Sequence, residues 1–175
     1  ILFGRYIIPF VFNPGSLSID TNLPNNPETV VNTDLNYLAK MYTNFGVITI
    51  DLYEKSAPKN VNNFAFLSQR GFYNQTKFHR LMPDFLIQGG DRNTLTTDAS
   101  SYGKGKPNYL IEDEVNWDSL DLTKEQRDKL TNLGYKSASN LESHKLDRYS
   151  VAMANSGPNT NGSQFFVVVA SFDDS

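Results

Sequence analysis

From Tyr37 to Tyr53 the chain reads YLAKMYTNFGVITIDLY. Ile48, Ile50 and Leu52 alternate with other residues at period two, so they share one face of a strand. A second short strand precedes them, and Thr43-Asn44-Phe45-Gly46 is the turn between the two. The period then changes. In SAPKNVNNFAFLSQRGFY, Val61, Phe64 and Leu67/Ser68 fall on one side at helical spacing. Ser56 is a candidate cap, Pro58 suits the first turn, and Gly71 supplies the stop. The pattern predicts one amphipathic helix laid on the strands.

Beyond the helix, FHRLMPDFLIQGGD reads as strand, turn and strand around Met82-Pro83-Asp84, with Arg80 the anomaly in a run that otherwise looks buried. A buried guanidinium is costly unless it is paired or has work to do. RNTLTTDASSYGKGKPNY follows as a Gly/Ser/Thr loop. Its GKGK lacks the strand-to-helix context of a phosphate loop and reads as an ordinary loop. WDSLDLTKEQRDKLTNLGYKSASNLESHK looks like an insertion, at about 116–145, carrying one short helix. Thr123 and Gln126 form a capping-box pattern, Gly134 stops the helix, and Leu130 and Leu133 are expected to dock it. His144 shows no partner and is expected to be exposed. Tyr149 to Ala154 and Gln164 to Ala170 read as strands flanking a polar turn region.

Before Tyr37, residues 13–36 have the Asn, Pro, Ser and Thr content of a linker, and ordered packing is expected to start near Tyr37. The domain boundaries follow: 1–36 as apolar stretch and linker, 37–175 as the folded domain. The opening ILFGRYIIPFVF is too short to span a bilayer alone. It fits a core strand or the remainder of an upstream anchor. Membrane association is expected only with such an anchor, and the compartment stays open between cytoplasm and an exported or membrane-anchored location. Strands outnumber helices, so the class is mostly β, as a barrel or sandwich.

Composition removes several functions. The chain has 175 residues, enough for one domain with a real core. It has no cysteine, which excludes a disulfide scaffold and a thiolate nucleophile. Two histidines are too few for a multi-histidine metal centre. A net charge of −3 gives no basic footprint for nucleic acid. The triplet Glu112-Asp113-Glu114 is expected to be solvated rather than catalytic, because adjacent carboxylates on a strand point apart.

What remains is one cation, several amides and several aromatics: Arg80, Gln88, Asn155 and Gln164 among Phe85, Phe165 and Phe166. No nucleophile sits beside a base. Such a set suits an extended peptide, with amides pairing to backbone and aromatics holding an apolar side chain. It equally suits a satisfied polar network inside a β core.

The motifs go further. FHRLMPDFLIQGGD and MANSGPNTNGSQFF resemble the two cyclophilin signatures, the second with Ser156 where Ala is usual. GKGKPNY with its acidic triplet resembles the family's G-x-G-x-P-x-Y loop and Glu-Asp-Glu, and TNFGVITIDLYEKSAPKNVNNF its first hairpin and helix. The likeness spans about 37–175, in order, in a bacterial style. It implies a peptidyl-prolyl cis-trans isomerase that assists folding, on an antiparallel eight-stranded β-barrel capped by helices; a non-catalytic proline-peptide binding module on that fold is the alternative. It implies Arg80 as the catalytic arginine, with Phe85, Leu86 and Phe166 as the proline-pocket wall. Gln88 and Asn155 would bind peptide backbone. Ala154, Ser156 and Gln164 would complete the groove, with His79 as support. Neither cofactor nor metal is implied. Partners would be proline-containing segments of client proteins and cyclosporin-type ligands. The family's closing strand and helix, and a further aromatic, Leu and His of its pocket, lie beyond the second signature. The resemblance therefore implies that these elements are missing from a chain ending at Ser175.

Overall fold

A computed structural model describes residues 22–170. The first two strands are β1 (Tyr37–Thr43) and β2 (Gly46–Leu52), an antiparallel hairpin. Its register pairs Tyr37 with Leu52, Ala39 with Ile50 and Met41 with Ile48. Paired residues share a face, so these six form the apolar side that enters the core. At the turn, the Thr43 hydroxyl donates to Gly46 O at 2.9 Å and accepts from Phe45 N at 3.1 Å.

Helix α1 (Pro58–Gln69) lies on this face through Val61, Phe64 and Leu67. Pro58 at its first turn needs no donor partner there. Gly71 ends it in the left-handed region at φ 68°. Gly71 N donates to Ser68 O, and Phe72 N to Leu67 O, each at 3.0 Å. These are the two bonds of a Schellman end. Ser56 does not cap the helix. Ala57 occupies the cap position and contributes no side-chain bond.

The remaining strands are β3 (Arg80–Met82), β4 (Leu86–Gly89), β5 (Val151–Met153) and β6 (Phe165–Val168), in an antiparallel sheet of order β3-β4-β6-β5. Phe165 on β6 joins this sheet to α1. Its ring meets Phe64 edge-on at 5.7 Å, Tyr73 at 5.9 Å and Phe78 at 6.2 Å. The fold is mostly β with two helices. Among the described residues there are six strands, in sheets of two and four that do not close on each other. The expected run of eight is therefore not complete there. The C-terminal end of the expectation, and the opening apolar stretch, lie outside the described residues.

Two sequence expectations need correction. Residues 22–36 are not a free linker: Val31 is buried in the core, and Leu23, Val30 and Leu35 pack against it. The Asn62 side chain on α1 accepts from Val30 N and Val31 N at 2.8 and 3.1 Å and donates to Glu28 O at 2.9 Å. Polar composition hid this because the few apolar side chains are scattered among polar ones and the rest of the attachment is made by backbone. The inserted helix α2 (Lys124–Asn132) has the predicted capping box, with Thr123 N donating to Gln126 Oε1 at 2.8 Å. However, it buries no residue, and Leu133 is 59% exposed. The insertion is instead pinned at its ends. Trp117 N donates to Ser137 Oγ at 3.0 Å, Asn116 N to Ser143 Oγ at 2.8 Å, and Ala138 N to Val115 O at 2.9 Å.

Candidate functional site

Register builds the site. Arg80 pairs with Gln88, Gln88 with Phe166, and Phe166 with Ala152. Paired strand residues project to one side, so these four form a row across all four strands of the sheet. Leu81, Ile87, Phe165 and Val167 alternate to the opposite side, where the last three reach the core. A strand period of two thus separates chemistry from packing within the same short strands.

Arg80 is exposed, because β3 is the sheet edge, and Leu81 beside it is 66% exposed. The expected buried strand is therefore an edge, and the guanidinium keeps its hydration. Arg80 Nη1 donates to Gln88 Oε1 at 3.3 Å. Gln88 Nε2 donates to Gln164 Oε1 at 3.0 Å. Gln164 Nε2 donates in turn to Gly103 O at 3.0 Å and Gly105 O at 2.8 Å. This chain of amides fixes both glutamine orientations and directs an oxygen at the arginine.

Beside it is a cleft of about 260 Å³. Gln88, Ala154, Asn155, Ser156 and Gln164, all expected at the groove, line it. Arg80 joins through Gln88, and Phe166 is the cross-strand neighbour of Gln88. His79, Phe85 and Leu86 do not line the cleft. Phe85 stands at the β3–β4 turn, 39% exposed, whereas Leu86 is buried. Both ring nitrogens of His79 are buried without a hydrogen-bond partner, and its backbone N donates to Gln88 O at 3.0 Å.

The loop read as ordinary forms a wall of the cleft through Gly103, Lys104, Gly105 and Lys106. The glycines of the motifs have steric causes. A Cβ on Gly105 would lie 1.9 Å from Asp91 Oδ1, and one on Gly90 would lie 2.4 Å from Ser163 O. Asp91 is fully buried, and its carboxylate accepts from Asn93 N at 2.7 Å and from Gly103 N. Underneath, Tyr109 Oη donates to Asn63 Oδ1 at 2.8 Å, and Asn63 Nδ2 donates to Gly162 O at 2.7 Å. Tyr73 Oη donates to Ser163 O at 3.0 Å, and Ser163 Oγ to Gly90 O at 2.8 Å. Burial pushes the Tyr109 hydroxyl up to about 12 and raises Tyr73 as well, so both remain donors at neutral pH.

The acidic triplet divides among three partners. Glu112 pairs with Lys59 at 2.5 Å, which lowers the carboxyl and raises the ammonium. Asp113 accepts from Asn159 N at 2.7 Å and Asn161 Nδ2 at 2.9 Å, steadying the turn that carries Asn155. Glu114 receives the free end of α1: Oε1 accepts from Lys59 N and Oε2 from Asn60 N, both at 2.9 Å. His144 also has partners. It lies 4.4 Å from the Tyr53 ring and shares a 3.2 Å hydrogen bond with Ser56 Oγ.

Residues 38–174 match the family model described as cyclophilin type peptidyl-prolyl cis-trans isomerase/CLD. The chain belongs to the cyclophilin-type family. Peptidyl-prolyl cis-trans isomerase-like 1 of Mus musculus is 45% identical over 129 residues, covering 73% of this chain and 60% of the relative. The Aspergillus oryzae protein of the same name is 41% identical over 129 residues, covering 73% and 62%. The chain thus spans about three-fifths of the length of these curated relatives. A solved cyclophilin type peptidyl-prolyl cis-trans isomerase of Cryptosporidium parvum is 30% identical at TM-score 0.52, over 76% of this chain and 67% of that one. The same protein solved in the presence of the dipeptide Ala-Pro gives the same TM-score, over 76% and 68%.

Proposed function

We propose that this cyclophilin-family chain catalyses rotation about X-Pro peptide bonds in proline-containing segments of client proteins, with Arg80 as the catalytic residue. The observation that carries the proposal is the Arg80–Gln88–Gln164 hydrogen-bonded chain, with both glutamines lining the cleft and Phe166 the cross-strand neighbour of Gln88. The likeness to a protein solved in the presence of Ala-Pro supports a proline-containing substrate.

The barrier to X-Pro rotation is about 18–20 kcal/mol, because amide resonance must be broken. No covalent bond to substrate forms, so a guanidinium and amides suffice. As the C–N bond twists, the prolyl nitrogen regains its lone pair and becomes an acceptor. Arg80, steadied by Gln88, then donates more strongly to the twisted state than to either planar one. Each tenfold acceleration needs about 1.4 kcal/mol of that preference. Phe166 and Phe85 would hold the proline ring, with Leu86 behind them. Asn155, Ala154, Ser156 and Gln164 would bind the flanking backbone, and His79 would support the arginine. Cyclosporin-type ligands would compete for the same groove. The insertion at about 116–145 belongs to the same proposal, and the folded unit expected at 37–175 takes in residues 22–36 as well.

The test is exchange of a Xaa-Pro peptide followed by NMR, with Arg80→Ala as control. Arg80→Ala should lower the exchange rate by at least about tenfold while peptide binding persists. Equal inactivity of both proteins, with binding retained, would make the chain a non-catalytic proline-peptide module.

A further inference from the structure

The residues that line the cleft beside Gln88 carry charge of one sign. Among the described residues, Lys104 and Lys106 are its charged lining, and no carboxylate lines it. Arg80 adds a third cation through Gln88. This is not the character of the whole molecule, whose net charge is −3. The carboxylates that touch the lining, Asp91 and Asp113, are committed. Asp91 is fully buried and accepts from Asn93 N and Gly103 N. Asp113 accepts from Asn159 N, from Asn161 Nδ2 and, at 3.4 Å, from Asn155 Nδ2. Neither pairs with a lysine at the cleft. A cleft with cationic walls and no opposing carboxylate of its own favours an anionic occupant.

The two lysines differ. Lys104 Nζ donates to Ser100 O at 2.8 Å, and Ser100 is not part of the lining, so that ammonium is tied back along its own loop. Lys106 is exposed, and among the described residues its side chain makes neither an ion pair nor a hydrogen bond. Its side chain leaves from the cleft wall: a Cβ on Gly162, itself a lining residue, would lie 3.2 Å from Lys106 Cβ. The flexible stem lets the ammonium meet an occupant's side chain without one fixed geometry. Its place along a peptide follows from the hydrogen bonds. Arg80 bonds Gln88, Gln88 bonds Gln164, and Gln164 bonds Gly105 O, next to Lys106. Two glutamine side chains thus separate the guanidinium from the loop that carries the lysine. At ~3.3–3.6 Å per residue, an extended occupant spans that with about two to four residues. We propose that the cleft selects X-Pro segments bearing an aspartate or glutamate about two to four residues from the proline, with Lys106 as the specificity-determining residue. The inference rests on the peptide groove proposed above and names the class of segment it takes.

The whole chain is given capped alanine peptides with one central proline, in which glutamate, glutamine or lysine replaces a single alanine two, three or four positions to either side. Titration reads affinity, and NMR exchange reads isomerisation. At the best position, glutamate should bind about two- to fivefold more tightly than glutamine at low salt, and lysine more weakly than glutamine. The advantage should vanish in about 1 M sodium chloride, where screening acts within ~3 Å. Lys106→Gln should bring the glutamate-to-glutamine ratio to about one, and Lys106→Glu should invert the order in favour of lysine. Lys106 is exposed, so both variants should keep the fold, which melting curves check. Equal affinity for glutamate and glutamine, a preference untouched by salt, or one lost in Lys104→Gln but kept in Lys106→Gln would each overturn the inference. Catalysed exchange without any charge preference fells this inference alone. A Lys106-dependent preference in binding, with no peptide isomerised, upholds it and fells the isomerase reading. If no peptide binds, both fall.

Discussion

Replacing Glu114 tests whether α1 is capped from a distance. The helix begins with Pro58 behind Ala57, so its own sequence supplies no capping side chain. The free amides of Lys59 and Asn60 both donate to Glu114, and Asn60 Nδ2 adds a 2.8 Å bond to the same carboxylate. Loss of a single cap costs about 0.5–2 kcal/mol. A carboxylate at a helix N-terminus contributes a further ~0.3–1 kcal/mol through the macrodipole. Glu114→Ala removes both effects and two amide partners, so the expected loss is about 2–3 kcal/mol. Glu114→Gln keeps one acceptor oxygen but loses the charge, and should lose about half as much. Glu114→Asp lacks the reach to serve both amides and should resemble Ala. Urea unfolding at neutral pH measures all three, with unchanged m-values confirming that only stability moved. If Glu114→Ala falls within ~0.5 kcal/mol of wild type, the range of ordinary surface substitutions, the distant cap is not stabilising the helix and the reasoning fails.

Gly105→Ala drives a Cβ into the Asp91 carboxylate. It should destabilise by about 1–3 kcal/mol and weaken Xaa-Pro peptide binding, both readable by melting and titration. Tyr109→Phe leaves Asn63 Oδ1 without its donor and should cost about 1–3 kcal/mol in urea unfolding. The same hydroxyl predicts alkaline lability. With Tyr109 near 12 in the fold and near 10 unfolded, its contribution is intact below pH 10 and declines as pH rises toward 12, which melting curves across that range would show and Tyr109→Phe would diminish. Leu133→Ser should change stability by under ~0.5 kcal/mol, because the side chain is exposed; a larger loss would mean that α2 docks after all.

What the sequence disclosed is what periodicity records. The hairpin, α1 with Pro58 and Gly71, and the capping box of α2 were all legible because each depends on residues within one or two turns of one another. The cap of α1 was not, since Glu114 lies 54 residues beyond Asn60 and the two meet only through the fold. Polarity misled at residues 22–36, where Asn62 binds backbone that composition cannot reveal. Leu133 misled in the opposite direction: Leu130 is half-buried, but helical spacing shows only that two apolar residues share a side, not that both are covered.

The candidate site divides along the same line. Arg80 and Gln88 stood out as polar residues among apolar ones, because a strand gives every second side chain to solvent or ligand, and Asn155 and Gln164 stood out in the polar segment between β5 and β6. The GKGK loop was dismissed for want of a phosphate-loop context, yet Gly105 is required by Asp91, Gly103 sits in the left-handed region at φ 82°, and their carbonyls hold the glutamine that orients Gln88. Gly103 and Gly105 are therefore linked to Arg80 only through the hydrogen bonds of Gln164 and Gln88. A residue whose contribution is a backbone carbonyl leaves no chemical signature in a sequence. Only the absence of its Cβ does, and that becomes informative once the carboxylate it must avoid has been located.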